Sequence, residues 1–276
     1  MEEKGFINLD FEAFTKLREE KKEKEYLLID VRQTSEYRAG HIPGALLMPV
    51  SELQTRLYEL PADRDLIFYC HSGGRSTFAS DLVSEAEVTE KNVYNLPGGI
   101  MTWEGKTLAD FPRVQVFDKK RSLPELLMTA MELEKGAFRF YRYITDHHAG
   151  ADFFPVMAQL SKAEEAHAKS VYQYWKETQN GAPDFESLFA DLRGNILEGG
   201  EQLETVLEKL KTAESASPLH IIELALDIEY RAYDLYRTIA EQKEEAKDIF
   251  LHIAQAEKGH MKMLIKAIPS LPQNIP

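Results

Sequence analysis

Two folds in tandem are predicted by this chain: an α/β domain built on a parallel sheet, followed by an all-α four-helix bundle. Three observations carry the prediction. Up to about residue 110, short apolar runs alternate with helically spaced stretches. From about residue 122 no strand-like run remains and long amphipathic stretches take over. Between the two, ADFPRVQVFDKKR (109–121) belongs to neither pattern and reads as a linker. The expected domains are therefore 1–108 and 122–276.

In the first domain YLLIDV (26–31), DLIFYC (65–70) and NVYNL (92–96) have the length and continuous apolar character of buried strands. FEAFTKLREEKKEKE, before the first of them, and TFASDLVSEAE, between the second and third, have helical spacing. Strands alternating with helices imply parallel pairing, with both faces of the sheet covered. In the second domain Ser122-Leu-Pro-Glu125 has the spacing of a capping box, and Ser217-Pro218 puts proline at a first helical position. Helices are predicted near 123–148, 152–179, 217–241 and 243–267. The long connection in the middle, with NGAP (180–183) and a glycine pair at 199–200, is expected to hold a shorter helix. Four long helices with one long crossover describe a ferritin-like bundle.

Composition limits the function classes. The 276 residues are 43% hydrophobic and 29% charged, with a net charge of −13, which describes a globular chain and disfavours nucleic acid or an anionic membrane as partner. The acidic start, MEEKGFINLD, does not read as a signal peptide, and no run approaches the roughly 18 apolar residues of a membrane span. A single cysteine allows no internal disulfide and fits a reducing compartment, so a cytoplasmic location is expected.

That cysteine, Cys70, lies in FYCHSGGRS (68–76). A strand that delivers Cys70 into His71, Ser72, Gly73 and Gly74, with a helix starting near Ser76, aims backbone N–H groups and a helix N-terminus at the sulfur, which favours the thiolate. Gly73 and Gly74 let the chain wrap an anion, and Arg75 adds a fixed positive charge. Alone, a cysteine ending an apolar strand is more often a packed core thiol than a nucleophile. Together with IDVRQTSEYRAGHIPGA (29–45) and LPGGIMTW (96–103), the stretch resembles the rhodanese family of sulfurtransferases over about residues 5–108. The resemblance implies that Cys70 takes sulfane sulfur as a persulfide from a small-molecule donor of the thiosulfate type and passes it to a thiophilic acceptor, and that the loop from His71 to Arg75 cradles the outer sulfur. Asp30, Arg32, Glu36 and His41 match framework positions of the family motif and are expected to support the site structurally. The turn is also similar to that of tyrosine phosphatases, but those place five residues between Cys and Arg where this chain has four, and a smaller loop suits sulfur better than a tetrahedral phosphate.

The second domain contains an internal repeat. ELEKGAFRFYR (132–142) and DIEYRAYDLYR (227–237) share Glu-x-x-Ala-x-x-x-Tyr, giving Glu134 with Tyr141 and Glu229 with Tyr236. AEEAH (163–167) and AEKGH (256–260) follow them, each with a Glu-x-x-His pair: Glu164 with His167, and Glu257 with His260. Residues three apart on a helix project from one face, and one Glu from each of two helices plus Glu-x-x-His from the other two is the ligand set of di-iron carboxylate bundles. An isolated Glu-x-x-His is usually a solvated face. Here the same-face neighbours of each glutamate are apolar, as with Leu127, Ala130 and Met131 around Glu134, so each carboxylate is predicted to face the core. Burying four carboxylates is unfavourable by several kcal/mol each unless cations neutralise them. Two divalent ions do so, and oxygen and imidazole ligands suit iron, or manganese in its place. Glu164 and Glu257 are expected to bridge and Glu134 and Glu229 to be terminal; Tyr141 and Tyr236 lie on the same faces, either as supports behind the ligands or as ordinary core tyrosines.

This half resembles the rubrerythrin and ferritin-like family over about residues 122–267. The resemblance implies a di-iron site, with peroxide or oxygen reduction as its activity and an external electron donor. Two departures stand out: Leu226 lies three residues before the third-helix glutamate, where the family adds a carboxylate, and one cysteine leaves no room for a four-cysteine rubredoxin module. The leading expectation is a two-domain sulfur and redox enzyme. The alternative is an iron-binding or persulfide-sensing protein without redox turnover, whose first domain is a docking module. Such bundles often pair, so a homodimer is expected.

Overall fold

The computed structural model describes residues 5–113, 122–212 and 217–270. The chain divides into two compact units, Met1–Phe111 and Pro112–Pro276. Most of the expected linker, 114–121, lies outside the described residues.

The first unit is a five-stranded sheet: β1 (Ile7–Asn8), β2 (Tyr26–Asp30), β3 (Leu46–Leu47), β4 (Asp65–Tyr69) and β5 (Val93–Asn95) pair in parallel throughout, in the order β1-β5-β4-β2-β3. Every residue of β2 and β4 is buried, which explains why these strands are continuously apolar rather than alternating. Their side chains divide by parity. Leu27, Ile29, Leu66, Phe68 and Cys70 join one core with Leu53 and Val83, from α3 (Val50–Arg56) and α4 (Gly74–Glu85). Tyr26, Leu28, Ile67 and Tyr69 join another with Phe14 and Tyr37, from α1 (Phe11–Glu20) and α2 (Thr34–Ala39). Cys70 therefore ends the central strand on the face that α4 covers. Two details differ from expectation. The helix at Phe11 stops at Glu20, and Glu23–Glu25 forms a separate 3-10 turn in which buried Glu23 accepts a hydrogen bond from the Tyr26 hydroxyl at 2.9 Å. The edge strands β1 and β3 have only two residues each, too few to display a period.

The second unit contains α5 (Leu123–His147), α6 (Phe154–Glu177), α7 (Phe185–Asp191), α8 (Leu203–Thr212), α9 (Pro218–Gln242) and α10 (Lys247–Ala267). The four long helices fall within a few residues of their predicted spans. The connection after α6 holds two short helices where one is predicted. Ser122 N–H donates to the Glu125 carboxylate at 2.9 Å and the Ser217 hydroxyl accepts from His220 N–H at 3.2 Å, so both capping signals operate as helix starts. The long helices associate in pairs, α5 with α6 and α9 with α10, and α10 also packs against α6. No helix among the described residues is long and apolar enough to cross a membrane.

Candidate active site and metal centre

In the first unit the loop after β4 curls around the cysteine sulfur. Gly73 N–H donates to Cys70 Sγ at 3.1 Å, and the Ser76 hydroxyl lies at 3.6 Å. Burial alone pushes the Cys70 thiol up, but the backbone N–H and hydroxyl of Ser76, with the N–H groups of Gly73 and Ser72, outweigh it and bring the thiol below its ordinary range. Gly73 has φ +103°, a left-handed conformation that turns its N–H inward and lets α4 begin at once. The LPGG turn closes the loop from beneath: Ile100 N–H donates to Cys70 O at 2.8 Å and Met101 N–H to His71 O at 3.2 Å. A Cβ on Gly99 would collide with Cys70 O and with the His71 carbonyl. Only glycine permits this backbone approach.

Arg75 forms a two-pronged ion pair with Glu36, both N–O distances being 2.7 Å, and also interacts with the Cys70 sulfur. The guanidinium holds the Glu36 carboxyl down at about 2. Asp30 is fully buried and takes three hydrogen bonds from the Arg32 side chain and one from Tyr69 OH at 2.8 Å, while Arg32 reaches Gly40 O at 2.7 Å. His41 stacks on Tyr37, with ring centroids 3.8 Å apart, and exchanges backbone hydrogen bonds with Leu108. Asp30, Arg32 and His41 thus join strand ends and loops to one another, whereas Glu36 touches the cysteine loop through Arg75. His71 and Ser72 are exposed.

In the second unit all six predicted residues of the repeat are buried and converge. His167 Nδ1 lies 3.2 Å from Glu134, 3.2 Å from Glu164 and 3.3 Å from Glu257. His260 Nδ1 lies 3.2 Å from Glu164, 3.0 Å from Glu229 and 3.0 Å from Glu257. Glu164 and Glu257 each turn one oxygen to one histidine and the second oxygen to the other, while Glu134 faces only His167 and Glu229 only His260. The imidazoles stack at 4.8 Å between centroids. Behind the carboxylates the Tyr236 hydroxyl donates to Glu134 and the Tyr141 hydroxyl to Glu229, each reaching across from the other helix of the α5 and α9 pair.

The chemistry of these donors fits cations. One ring nitrogen carries at most one proton, yet each faces three carboxylate oxygens, and a single proton cannot serve three acceptors. Glu164 Oε1 is buried with no hydrogen-bond partner among the described residues. Both imidazoles are drawn well above their ordinary range by the carboxylates, against the opposing effect of burial. Burial pushes Glu134 up to about 8 and Glu229 well above the carboxylate range, while at Glu257 the charge of His260 overcomes burial and holds the carboxyl low. The ligand atoms of Glu164, His167, Glu257 and His260 lie within 4.8 Å of one another, compact enough to share metal ions.

The model of the rhodanese-like domain matches residues 13–106, and that of rubrerythrin matches 220–275. A sulfurtransferase of Allochromatium vinosum is 39% identical over 80 residues, which are 29% of this chain and 73% of that protein. The chain belongs to the rhodanese family. Its C-terminal part carries a rubrerythrin (ferritin-like) domain, matched over residues 220–275. An HTH-type transcriptional regulator, Rv0324 of Mycobacterium tuberculosis, is 44% identical over 79 residues, 29% of this chain, and the chain spans only about a third of its length (34%). Among solved structures, the rhodanese-related protein of Thermoplasma volcanium covers 38% of this chain and 100% of its own, with 23% identity and a TM-score of 0.34.

One buried acid of the rubrerythrin domain escapes the repeat. Glu198, in the segment between α7 and α8, is 2% exposed. The only cues in GNILEGGEQL are the apolar pair before it and the glycine pair after it. Leu226, by contrast, packs against apolar core on both sides.

Proposed function

We propose that this protein is a two-domain sulfur and redox enzyme, a persulfide-forming sulfurtransferase joined to a di-iron oxidoreductase. What supports the first activity is the sulfur of Cys70 inside a ring of inward N–H donors. The Cys70 thiolate attacks the outer sulfur of thiosulfate or a similar donor. The donor S–S bond breaks, and sulfite leaves with the electron pair. The loop donors then hold the outer sulfur of the cysteine persulfide until an acceptor thiolate attacks it and Cys70 leaves as thiolate again. Arg75, fixed by Glu36, attracts the anionic donor to the loop.

What supports the second activity is the pair of histidines sharing two carboxylates. Glu164 and Glu257 would bridge two metal ions, Glu134 with His167 would complete one and Glu229 with His260 the other. Iron suits this oxygen and imidazole set, with manganese the nearest substitute, and when bound it supplies electrons to peroxide or oxygen. Tyr141 and Tyr236 hold the terminal carboxylates in place and present hydroxyl protons at the same positions. The sulfur donor, the acceptor and the electron donor all come from outside the chain, which has no second cysteine to resolve the persulfide or to relay electrons.

Intact mass after incubation with thiosulfate tests the first half: a gain of one sulfur that Cys70→Ser abolishes is expected, and no gain in the wild type refutes it. For the second half, elemental analysis should find two metal ions per chain, and stopped-flow spectra should show oxidation of the ferrous protein by peroxide followed by re-reduction by an added donor. The likeness to a protein described as a transcriptional regulator keeps a sensing role as the second reading. Sulfur loading without transfer, and iron binding without turnover, would favour it.

A further inference from the structure

Among the described residues of the second unit, Glu198 is the carboxylate that is buried and lies off the four long helices. Its Oε2 has no hydrogen-bond partner among the described residues. Burial raises its carboxyl well above the ordinary range, and the next contributions come from the charges of Glu134, Glu164 and Glu257, in that order. Tyr236, which donates to Glu134, feels the charge of Glu198 as well. The charges of the cluster therefore reach Glu198. A buried carboxylate among other buried carboxylates is strongly unfavourable without a cation.

The segment that carries Glu198 is clamped to α5 at the level of Glu134 by residues on the other face of that helix. The Glu132 carboxylate accepts from Gly194 N–H at 2.7 Å and from Arg193 N–H at 3.3 Å. The Arg139 guanidinium donates to Arg193 O, Gly194 O and Asn195 Oδ1 at 2.6, 3.1 and 2.9 Å. Between these two grips Gly136 lets Ile196 O come so close that any Cβ there would collide with it. Beyond Ile196 the chain folds back on itself: Leu197 N–H donates to Glu201 O at 2.9 Å, Gly200 N–H to Leu197 O at 2.7 Å and Leu203 N–H to Asn195 O at 2.8 Å. Leu197 and Leu203, on either side, are both buried. The backbone on both flanks of Glu198 is thus fixed, which gives its buried side chain a rigid platform.

We propose that Glu198 is a further carboxylate ligand to one of the two metal ions, the one held by Glu134 and His167. The proposal rests on the metal-centre reading above. It makes the centre unequal: the ion beside Glu134 gains a donor that the ion beside Glu229 lacks, although the repeat makes the rest of the site symmetric. The segment between α7 and α8 then takes part in metal binding as well as joining helices.

Anaerobic calorimetric titration of the full-length metal-free protein with ferrous iron, repeated with manganous ion, tests this. The wild type should bind two ions per chain; if it binds none, the metal-centre reading itself fails. Glu198→Gln should lose one ion, or bind one at least tenfold more weakly while the other is unchanged, and Glu198→Asp should fall between. The exposed neighbour, in Glu201→Gln, should leave both affinities as they are. If the wild type binds two ions and Glu198→Gln binds both with wild-type affinities, Glu198 is not a ligand. Thermal melting of the metal-free variants gives an independent readout. A ligand freed of like-charge repulsion raises the melting temperature as glutamine, whereas a merely structural carboxylate lowers it and leaves the titration unchanged.

Discussion

Cys70 and the Glu/His cluster both hold negative charge away from water, and they do it in opposite ways. Around Cys70 the leading stabilising groups are neutral dipoles, the N–H groups of Ser72, Gly73 and Ser76 and one hydroxyl, all within seven consecutive residues, with the Arg75 guanidinium adding to them. In the bundle the negative groups are four glutamates from four helices, and the groups facing them are two imidazoles. Fixed dipoles can stabilise one thiolate without any counter-ion. They cannot stabilise four carboxylates, so the bundle has to import positive charge. The difference shows which centre would depend on its surroundings: the cysteine loop carries its own electrostatics, and the cluster, on the proposed reading, draws on bound cations.

The largest expected effect follows from the shared carboxylates. Because Glu164 faces both histidines, Glu164→Ala should remove both metal ions, read by elemental analysis, while sulfur loading on Cys70 stays at the wild-type level. Loss of sulfur loading in that variant would mean that the two centres are not independent.

Next comes the hydroxyl at the sulfur. A hydrogen bond to a charged group is worth about 1.5–3 kcal/mol, so Ser76→Ala should slow Cys70 alkylation by iodoacetamide at pH 7 about tenfold or more, by raising the thiol pKa. In the wild type the alkylation rate should reach half its maximum below pH 9, the ordinary thiol value. A midpoint at or above 9 would show that burial prevails over the loop donors.

A smaller effect is expected from the tyrosines. Tyr236→Phe removes the donor to Glu134 and should weaken one metal ion several-fold without displacing the other, a split that titration with manganous ion resolves. Equal weakening of both ions would mean that the tyrosine acts through packing alone.

The smallest effect belongs to the ion pair beside the cysteine loop. Glu36 is held at about 2, below its unfolded value of 4.5, so its contribution to stability is complete above about pH 4.5 and is lost as the pH falls to about 2. Because both partners are about a third exposed, Glu36→Gln should destabilise by no more than about 1 kcal/mol at pH 7. Urea denaturation should show that difference vanishing by pH 2. A difference that persists there would have to come from packing.

The same contrast governs what the sequence discloses. The cysteine loop is contiguous, so FYCHSGGRS displays its chemistry directly. The cluster is spread from Glu134 to His260, but the repeat writes each half of it twice, and helical spacing places every glutamate on an apolar face. Glu198 has no copy elsewhere in the chain and sits on irregular backbone, where no period reports which way a side chain points. The need for Gly99 is hidden for a related reason: its neighbours, Cys70 and His71, are remote in sequence, and only the folded backbone brings them into contact. The strands β1 and β3 are too short to carry a pattern, and they form because longer neighbours offer them an edge.

The two tyrosines set a limit on how fast the centre can lose what it holds. Tyr141 on α5 grips a carboxylate of α9, and Tyr236 on α9 grips a carboxylate of α5, so neither terminal ligand is released by motion within its own helix. An ion held there would be released most readily when the two helices part and the crossed bonds break. A chelator should therefore strip the protein no faster than the amide protons around Glu134 and Glu229 exchange with solvent, and the two sets of protons should exchange at one common rate.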